Sequence, residues 1–250
     1  MERIDTANGL RWITPEWPAP ATVRAATTLR HGGVSGGGYA ALNLGDHVND
    51  DGAAVATNRE RLVAALQLPA APHWLTQVHG IDCVDAATAP PGCEADACFS
   101  SKPGVVCAIL TADCLPLLLC DKDGSAVAAV HAGWRGLAAG VIESAIAAMG
   151  GGRELLAWLG PAIGPQHFEV GEEVRAVFVA RDPAATGAFV PGEGGRWLAD
   201  LYLLTRLVLE KQGVKSIHGG HWCTAGAPEN FYSYRRDGVT GRMATLIWIM

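Results

Sequence analysis

Three side chains in this 250-residue sequence could together bind a metal ion: His79, Cys114 and His131. Each has a glycine, an acid or a turn beside it, so each could lie at the end of a strand. Two imidazoles and one thiolate suit zinc, and three protein ligands leave a fourth coordination position open. These residue types therefore predict a catalytic rather than a structural metal site.

The spacing of the three residues by itself gives little support for a shared metal site. Cys114 lies 35 positions after His79, and His131 lies 17 positions after Cys114. A single His or Cys in an apolar segment is more often a buried core residue than a metal ligand. From the residues alone, a shared metal site and three unrelated core positions remain about equally good interpretations.

Two other groups of potential ligands are weaker candidates. The run His218-Gly-Gly-His-Trp-Cys223 contains two glycines that would make a loose, exposed site. Cys93 and Cys98 lack the second cysteine pair of a structural zinc ribbon. The sequence has seven cysteines, an odd number that favours reduced thiols over a disulfide framework.

The loop Gly133-Trp-Arg-Gly136 could bind an anion beside the metal. Its glycines allow close approach of the backbone, and the first amides of a following helix are unpaired donors. Arg135 could add a bidentate contact to phosphate. An ordinary strand-to-helix turn is the alternative interpretation.

The elements that must position these residues are predicted from hydrophobic patterning. Consecutive apolar residues, rather than alternating ones, indicate strands of a sheet that is covered on both faces. Helices are indicated by apolar spacing and by potential caps at Asp50, Asp51 and Asp200, with Lys211 and Gly213 at the end of the last helix. The predicted strands are 105–110, 115–119 and 126–130, and the predicted helices are 55–66, 137–149 and one from Asp200 through Glu210.

Composition narrows the class of protein. Hydrophobic residues make up 49% and charged residues 18%, which supports a sizeable core. The net charge of −6 gives no general attraction for nucleic acid or anionic membranes. The first nine residues lack the apolar core of a signal peptide, and the apolar runs are shorter than a membrane span. We therefore expect a cytoplasmic protein with no nucleic-acid or membrane partner, either a monomer or a small homo-oligomer.

Ordered motifs along nearly the whole chain carry a family resemblance. The sequence resembles the YfiH family, also called the laccase-domain or peptidoglycan editing factor family. The matching segments are Arg30-His-Gly-Gly-Val-Ser35, Leu42-Asn-Leu-Gly-Asp-His47, Asn58-Arg59, Thr76-Gln-Val-His-Gly80, Thr111-Ala-Asp-Cys-Leu-Pro116, His131-Ala-Gly-Trp-Arg-Gly136, Leu159-Gly-Pro-Ala-Ile-Gly164, Phe168-Glu-Val-Gly171 and Phe231-Tyr-Ser-Tyr-Arg-Arg-Asp-Gly238.

The resemblance implies both fold and activity. It implies an α+β fold, a single layered domain over residues 1–250 with mixed β-sheets flanked by helices. It implies zinc held by His79, Cys114 and His131. The implied activity is phosphorolysis of adenosine, inosine, guanosine and methylthioadenosine, together with deamination of adenosine. The partners would then be a purine nucleoside and phosphate.

Position in the sequence suggests supporting roles for further residues. Phosphorolysis needs an anion site, for which Arg59, Arg135 and the loop from Gly133 to Gly136 are candidates. Asp113 adjoins a ligand and could orient it or manage a proton. We expect catalytic roles for Cys114, Asp113 and Arg135, and substrate contacts from Arg30, Asn43, Arg59, Gly133 and Trp134.

Other functions remain as alternatives. A His₂Cys site also binds copper, so a copper polyphenol oxidase is one, although the sequence has eight histidines and no His-x-His pair. A cysteine hydrolase or peptidoglycan-editing enzyme with Cys114 as nucleophile is another, and a non-enzymatic binding module is a third. The His-x-Glu and Pro-Cys-x-x-Cys pattern of zinc nucleobase deaminases is absent.

Overall fold

Two sheets stack face to face and carry helices on their outer sides. The computed structural model describes residues 2–250. The first sheet is antiparallel, with the strand order β1-β2-β3-β14-β6. Its strands are β1 (Arg3–Ala7), β2 (Leu10–Thr14), β3 (Val23–Thr28), β6 (Val106–Thr111) and β14 (Met243–Ile249).

The second sheet is mixed and has the order β13-β9-β7-β8-β5-β4. Its two outer pairs, β13 with β9 and β4 with β5, are parallel, and the inner pairs are antiparallel. Its strands are β4 (Cys83–Asp85), β5 (Ala97–Ser100), β7 (Leu115–Asp121), β8 (Val127–Ala132), β9 (Leu155–Leu159) and β13 (Ser216–Gly219).

A small third sheet and six α-helices complete the described chain. The third sheet is antiparallel, in the order β10-β12-β11, with β10 (Glu169–Val170), β11 (Phe189–Pro191) and β12 (Trp197–Ala199). Short 3-10 turns span Gly37–Tyr39, Pro183–Ala188 and Glu193–Gly195. The α-helices are α1 (Gly52–Leu66), α2 (Trp134–Ala139), α3 (Val141–Ala148), α4 (Glu172–Arg181), α5 (Leu201–Lys211) and α6 (Tyr234–Asp237).

Both faces of the central strands in the two large sheets are buried, as the runs of apolar residues predict. Every residue of β6, β7, β8 and β14 is buried. One apolar cluster fills the space between the sheets, where Leu118 of β7 and Ile109 of β6 belong to it. A second cluster joins the other face of the mixed sheet to α3, α4 and α5, and a third joins the antiparallel sheet to α1. The predicted α+β layering with mixed sheets and flanking helices is therefore confirmed.

The predicted strands and most predicted helix ends match the structure. The three strands predicted from apolar runs correspond to β6, β7 and β8 within two residues at each end. Asp51 caps α1 by accepting a hydrogen bond from the Ala53 amide, and Asp200 caps α5 by accepting one from the Leu203 amide. These bonds satisfy amides that have no partner inside the helix.

The single helix predicted over 137–149 is wrong. Two helices, α2 and α3, meet at Gly140 instead. Gly140 has φ of +112°, a conformation that glycine adopts without a steric penalty, and its amide donates to the carbonyl of Gly136. The glycine ends α2 and begins α3, so the direction of the chain changes there. Within residues 2–250, no helix is long and apolar enough to cross a membrane.

Candidate metal centre

The fold brings together the three predicted ligands from three separate segments. Cys114 immediately precedes β7, and His131 lies near the end of β8, where it pairs with Pro116 across the ladder. His79 reaches them from the loop before β4. The ligand atoms of the three side chains all lie within 4.8 Å of one another. Within residues 2–250, this is the one such group of His, Cys, Asp or Glu side chains that could hold a metal ion.

The donor set and its spacing fit zinc. Cys114 Sγ lies 3.8 Å from His79 Nε2, and the two imidazole rings meet edge to face with centroids 4.8 Å apart. Tetrahedral zinc with normal bond lengths separates its ligand atoms by about 3.3 to 3.6 Å. Small side-chain movements would therefore complete the coordination. His131 is buried, Cys114 is half-buried and His79 is exposed, so the group is accessible from one side.

A buried carboxylate, Asp96, orients two of the three ligands. Its Oδ1 atom lies 2.7 Å from His131 Nδ1 and accepts a hydrogen bond from the His79 amide at 2.9 Å. Its Oδ2 atom accepts from the amides of Val78 and Gly80 at 3.1 and 2.6 Å. Such a carboxylate fixes the ring and tautomer of a ligating histidine. Asp96 was not predicted from the sequence, because the only signal for it is an acidic residue directly before the apolar strand β5.

The charges of the group favour a thiolate. Burial would raise the pKa of Cys114, but His131 and His79 overcome it and lower this pKa to about 6. Burial likewise opposes protonation of His131, whereas Cys114 and Asp96 together raise its pKa to about 9. Burial also opposes ionisation of Asp96, yet hydrogen bonds from His131 and from two backbone amides lower its pKa. A deprotonated sulfur is the form that binds a metal.

Gly133 is required at its position by close packing against the ligands. A Cβ atom there would lie 2.9 Å from His79 Cδ2 and 3.0 Å from Cys114 Sγ. Only a residue without a side chain leaves both ligands in place. Gly133, which was expected to contact substrate, packs against two of the metal-binding side chains.

Left-handed backbone conformations occur at two non-glycine residues of the site. His79 has φ of +61° and Asp113, next to Cys114, has φ of +89°. Such conformations cost on the order of 1–3 kcal/mol for residues with a side chain. The strained backbone therefore lies at the ligand His79 and next to the ligand Cys114, where backbone conformation sets the direction of the ligating side chains.

A cavity of about 540 Å³ opens directly over the ligands. This volume is within the usual range of small-molecule sites. Aromatic rings and basic side chains share its lining with the ligands, namely Trp134, Phe168, Tyr234, His47, Arg135, Arg235 and Arg242. Tyr234 and Arg235, from the family-matching segment 231–238, therefore contribute to the cavity, whereas roles for His47 and Arg242 were not predicted.

The three arginines of the cavity, Arg135, Arg235 and Arg242, have no carboxylate partner within residues 2–250. Arg135 lies over the ring of Trp134, with its guanidinium carbon 4.5 Å from the ring centroid. Arg242 donates to the carbonyls of Thr240 and Gly241 at 3.0 and 3.1 Å, and burial lowers its pKa. Three arginines that form no ion pair and lie around one cavity suit an anionic ligand.

Asp113 holds together the segments around the cavity. Its Oδ1 atom accepts from Thr224 Oγ1 at 2.5 Å, and its Oδ2 atom accepts from Ser233 Oγ and the Arg235 amide at 3.0 and 2.7 Å. The side chain lines the cavity, but these bonds occupy both carboxylate oxygens. The contacts therefore place Asp113 as a positioning residue for the Arg235 loop.

Four residues expected to contact substrate lie outside the lining of this cavity: Gly133, which packs against the ligands, and Arg30, Arg59 and Asn43. Arg30 donates to the carbonyls of Ala40 and Pro228. Arg59 donates to the Leu44 carbonyl and pairs with Asp46 at 3.2 Å. Asn43 accepts a hydrogen bond from the Arg242 amide at 2.9 Å and is fully buried. The contacts of Arg59 and Asn43 support the loops that carry His47 and Arg242.

The rival metal clusters do not form in the described chain. His218 hydrogen bonds to Ser216, and His221 lies 3.4 Å from the carboxylate of Glu2. Cys223 contacts His167 instead of either histidine of its own segment. The strand β13 carries His218 away from the loop that follows it, which the sequence pattern did not predict.

Comparison with known proteins agrees with the resemblance seen in the sequence. Residues 24–250 match the family described as multi-copper polyphenol oxidoreductase laccase. A protein of Pseudomonas aeruginosa named purine nucleoside phosphorylase PA4543 is 54% identical over 240 residues, covering 95% of this chain and 98% of that protein. Purine nucleoside phosphorylase YfiH of Escherichia coli is 51% identical with the same coverage of both.

Solved structures share the fold. The crystal structure of protein NMB0706 from Neisseria meningitidis superposes with a TM-score of 0.91 at 48% identity, covering 95% of this chain and 98% of that one. The structure of YlmD from Geobacillus stearothermophilus gives a TM-score of 0.88 at 30% identity, covering 98% of this chain and 97% of that one.

Proposed function

Because the chain belongs to the YfiH family, which is described as multi-copper polyphenol oxidoreductase laccase, we propose that it is a zinc-dependent purine nucleoside phosphorylase. The proposal includes adenosine, inosine, guanosine and methylthioadenosine as substrates, and deamination of adenosine as a second activity. Relatives that are 51% and 54% identical carry the name purine nucleoside phosphorylase.

One observation carries the proposal: the His79, Cys114 and His131 group opens into a cavity lined by both aromatic rings and arginines that form no ion pair. A purine nucleoside needs an apolar surface for its base, and phosphate needs positive charge. The cavity offers both beside the three ligands. When bound by these three residues, zinc supplies a Lewis acid within the cavity.

The aromatic residues of the lining are the candidates for binding the base. Trp134, Phe168 and Tyr234 line the same cavity. Stacking on aromatic rings is tolerant of the base, because every purine presents a π-face. This tolerance supports a range of purine nucleosides rather than a single one.

The arginines are the candidates for binding phosphate. Phosphorolysis transfers the sugar from the base to phosphate through a transition state with positive charge on the sugar. Arg135, Arg235 and Arg242 would hold the phosphate and raise its local concentration at C1′. Arg59 is a poorer candidate than the sequence indicated, since its guanidinium already pairs with Asp46 and the Leu44 carbonyl.

Incubation with adenosine and with inosine, each with and without phosphate, tests the proposal. Chromatography should show release of adenine from adenosine and of hypoxanthine from inosine, dependent on phosphate and accompanied by ribose 1-phosphate. Deamination should convert adenosine into inosine without phosphate. The proposal fails if zinc-loaded protein releases no base from any purine nucleoside.

Copper polyphenol oxidation is the second candidate, and the family description and the His₂Cys donor set favour it. A multi-copper site needs several groups of ligands, whereas residues 2–250 contain one. Metal analysis of protein prepared without added copper, together with a phenol oxidation assay, separates the two functions. Copper bound in proportion to phenol oxidation would favour the oxidase.

A further inference from the structure

A second sulfur and imidazole pair, Cys223 and His167, lies outside the metal-binding group. Cys223 Sγ lies 3.3 Å from His167 Nδ1. The same sulfur accepts hydrogen bonds from the backbone amides of Gly164 and Gly226, at 3.2 and 3.3 Å. Cys223 is half-buried and His167 is exposed, so the pair is accessible to small molecules.

The two glycines allow their amides to approach the sulfur. A Cβ atom on Gly164 would lie 3.1 Å from Cys223 Sγ, and one on Gly226 would lie 3.4 Å from it. In the uncharged pair the thiol donates a hydrogen bond to His167 Nδ1. After proton transfer, the sulfur accepts hydrogen bonds from the imidazolium and from both amides. The thiolate formed in this way is the form of the sulfur that attacks disulfides.

The environment of Cys223 differs from that of the buried cysteines. Burial raises the pKa of Cys83 and of Cys120 to about 12, which keeps both thiols protonated. Cys93 is the useful comparison, because it is also half-buried and lies 4.0 Å from His73 Nε2. No backbone amide within residues 2–250 donates to the Cys93 sulfur.

A cavity of about 350 Å³ adjoins Cys223. Arg206 and His221 line it, together with the aromatic rings of Tyr202 and Trp222. The carboxylate of Asp200, also in the lining, is engaged as the cap of α5. Arg206 donates to the Gly219 carbonyl at 2.8 Å and has no carboxylate partner within residues 2–250. The cavity therefore suits a small molecule that carries carboxylates.

We propose that Cys223 is a site of reversible thiol–disulfide exchange with low-molecular-weight disulfides that carry carboxylates, with His167 as its proton acceptor. The Cys223 sulfur attacks one sulfur of the disulfide, a new S–S bond forms and the old one breaks. The departing thiolate takes up the proton held by His167. The small disulfide is the oxidant, so the exchange needs no other reactant.

The exchange would also affect the metal-binding cavity. Thr224, the next residue, donates to Asp113 Oδ1 at 2.5 Å, and its carbonyl accepts from Arg236 at 2.9 Å. Because Cys223 Sγ is in contact with the amides of Gly164 and Gly226, we expect a substituent on the sulfur to displace this segment. Because Asp113 also holds the Arg235 amide, we expect slower phosphorolysis in the modified protein. This consequence rests on the proposed function, whereas the exchange itself does not.

The test treats the zinc-loaded protein with oxidised glutathione and maps the adducts by mass spectrometry of acid-quenched peptides. Cys223 should gain glutathione at least about tenfold faster than Cys93, and a thiol reductant should reverse the reaction. Cystamine, a disulfide with amines instead of carboxylates, should react with Cys223 more slowly, and Arg206→Gln should reduce the difference between the two reagents.

His167→Gln should slow modification of Cys223 by about tenfold, because a hydrogen bond to a charged group contributes about that much to an equilibrium. Labelling of Cys223 no faster than Cys93 in the unsubstituted protein would overturn the exchange site, and so would an unchanged rate in a folded His167→Gln variant. An adduct that leaves phosphorolysis unchanged would overturn only the link to the metal-binding cavity. If no nucleoside is cleaved at all, the proposed function fails while adduct mapping still decides the exchange site.

Discussion

Asp96 Oδ1 and His131 Nδ1 lie 2.7 Å apart, and both side chains are buried. The same carboxylate accepts hydrogen bonds from the backbone amides of Val78, His79 and Gly80. One acid therefore fixes two metal-binding residues from different segments. The loop of His79 and the strand of His131 are thereby coupled. Loss of this carboxylate should disturb both ligands at once.

Asp96→Asn should lower zinc affinity by about 10- to 100-fold, the range found when such supporting partners of metal ligands are replaced. Competition with a chromophoric chelator measures the affinity. Asp121→Asn is the matched control, because Asp121 is another buried carboxylate, bonded to Ser125 and Arg153 instead of a ligand. Equal zinc affinity in Asp96→Asn and the unsubstituted protein would contradict the orienting role.

Gly133→Ala should weaken zinc binding by about fivefold or more and lower the melting temperature. Its Cβ atom would lie 2.9 Å from His79 Cδ2 and 3.0 Å from Cys114 Sγ, closer than real Cβ contacts. Either ligand would have to move, and overpacking of this kind costs about 1–3 kcal/mol. Gly187→Ala is the control, since a Cβ there meets no atom within 4 Å. Metal analysis and thermal melting compare the two variants, and full zinc occupancy in Gly133→Ala would refute the packing argument.

Local sequence patterns predicted much of the fold, whereas the metal-binding group was implied by the family resemblance and was only one of two interpretations of the residues themselves. Apolar runs located β6, β7 and β8, and capping residues located the starts of α1 and α5. These signals lie within a few neighbouring residues. The break at Gly140 was the exception, because apolar spacing continued through the glycine at which α2 ends and α3 begins.

The remaining site residues could not be predicted because their roles depend on distant contacts. Asp96 acts through His79 and His131, which lie 17 and 35 positions away. Arg242 reaches the cavity from the turn before the last strand, and its amide is held by Asn43, 199 positions earlier. Conversely, Arg59 had a suitable side chain, but Asp46 and the Leu44 carbonyl engage it.

Alkylation of metal-free protein should report the ionisation of Cys114. His131 and His79 lower the pKa of this thiol to about 6 against the effect of burial, so the thiolate forms as pH rises through 6. The rate with iodoacetamide should fall about tenfold per pH unit below 6 and level off above about 7. Zinc should suppress the reaction by engaging the sulfur. Cys114→Ser identifies the contribution of the other thiols.

Equal alkylation with and without zinc would mean that Cys114 is free, which favours the cysteine hydrolase alternative. A midpoint near 9 in metal-free protein would instead show that the histidines do not stabilise the thiolate. Peptide mapping assigns the modified residue and separates Cys114 from Cys223.

Arg242→Gln should raise the KM for phosphate about tenfold or more while changing the KM for inosine little. Arg242 lines the cavity and has no carboxylate partner within residues 2–250, so its positive charge is available to an anion. A hydrogen bond to a charged group contributes about 1.5–3 kcal/mol, which corresponds to at least a tenfold change in binding. Glutamine keeps a hydrogen-bond donor but removes the charge.

Arg61→Gln is the control, because Arg61 is exposed, lies outside the lining and donates to the Gly32 carbonyl. Steady-state rates measured over a phosphate series at saturating inosine decide the matter: an unchanged KM for phosphate would remove Arg242 from the anion site and leave Arg135 and Arg235 as the remaining cavity arginines to test.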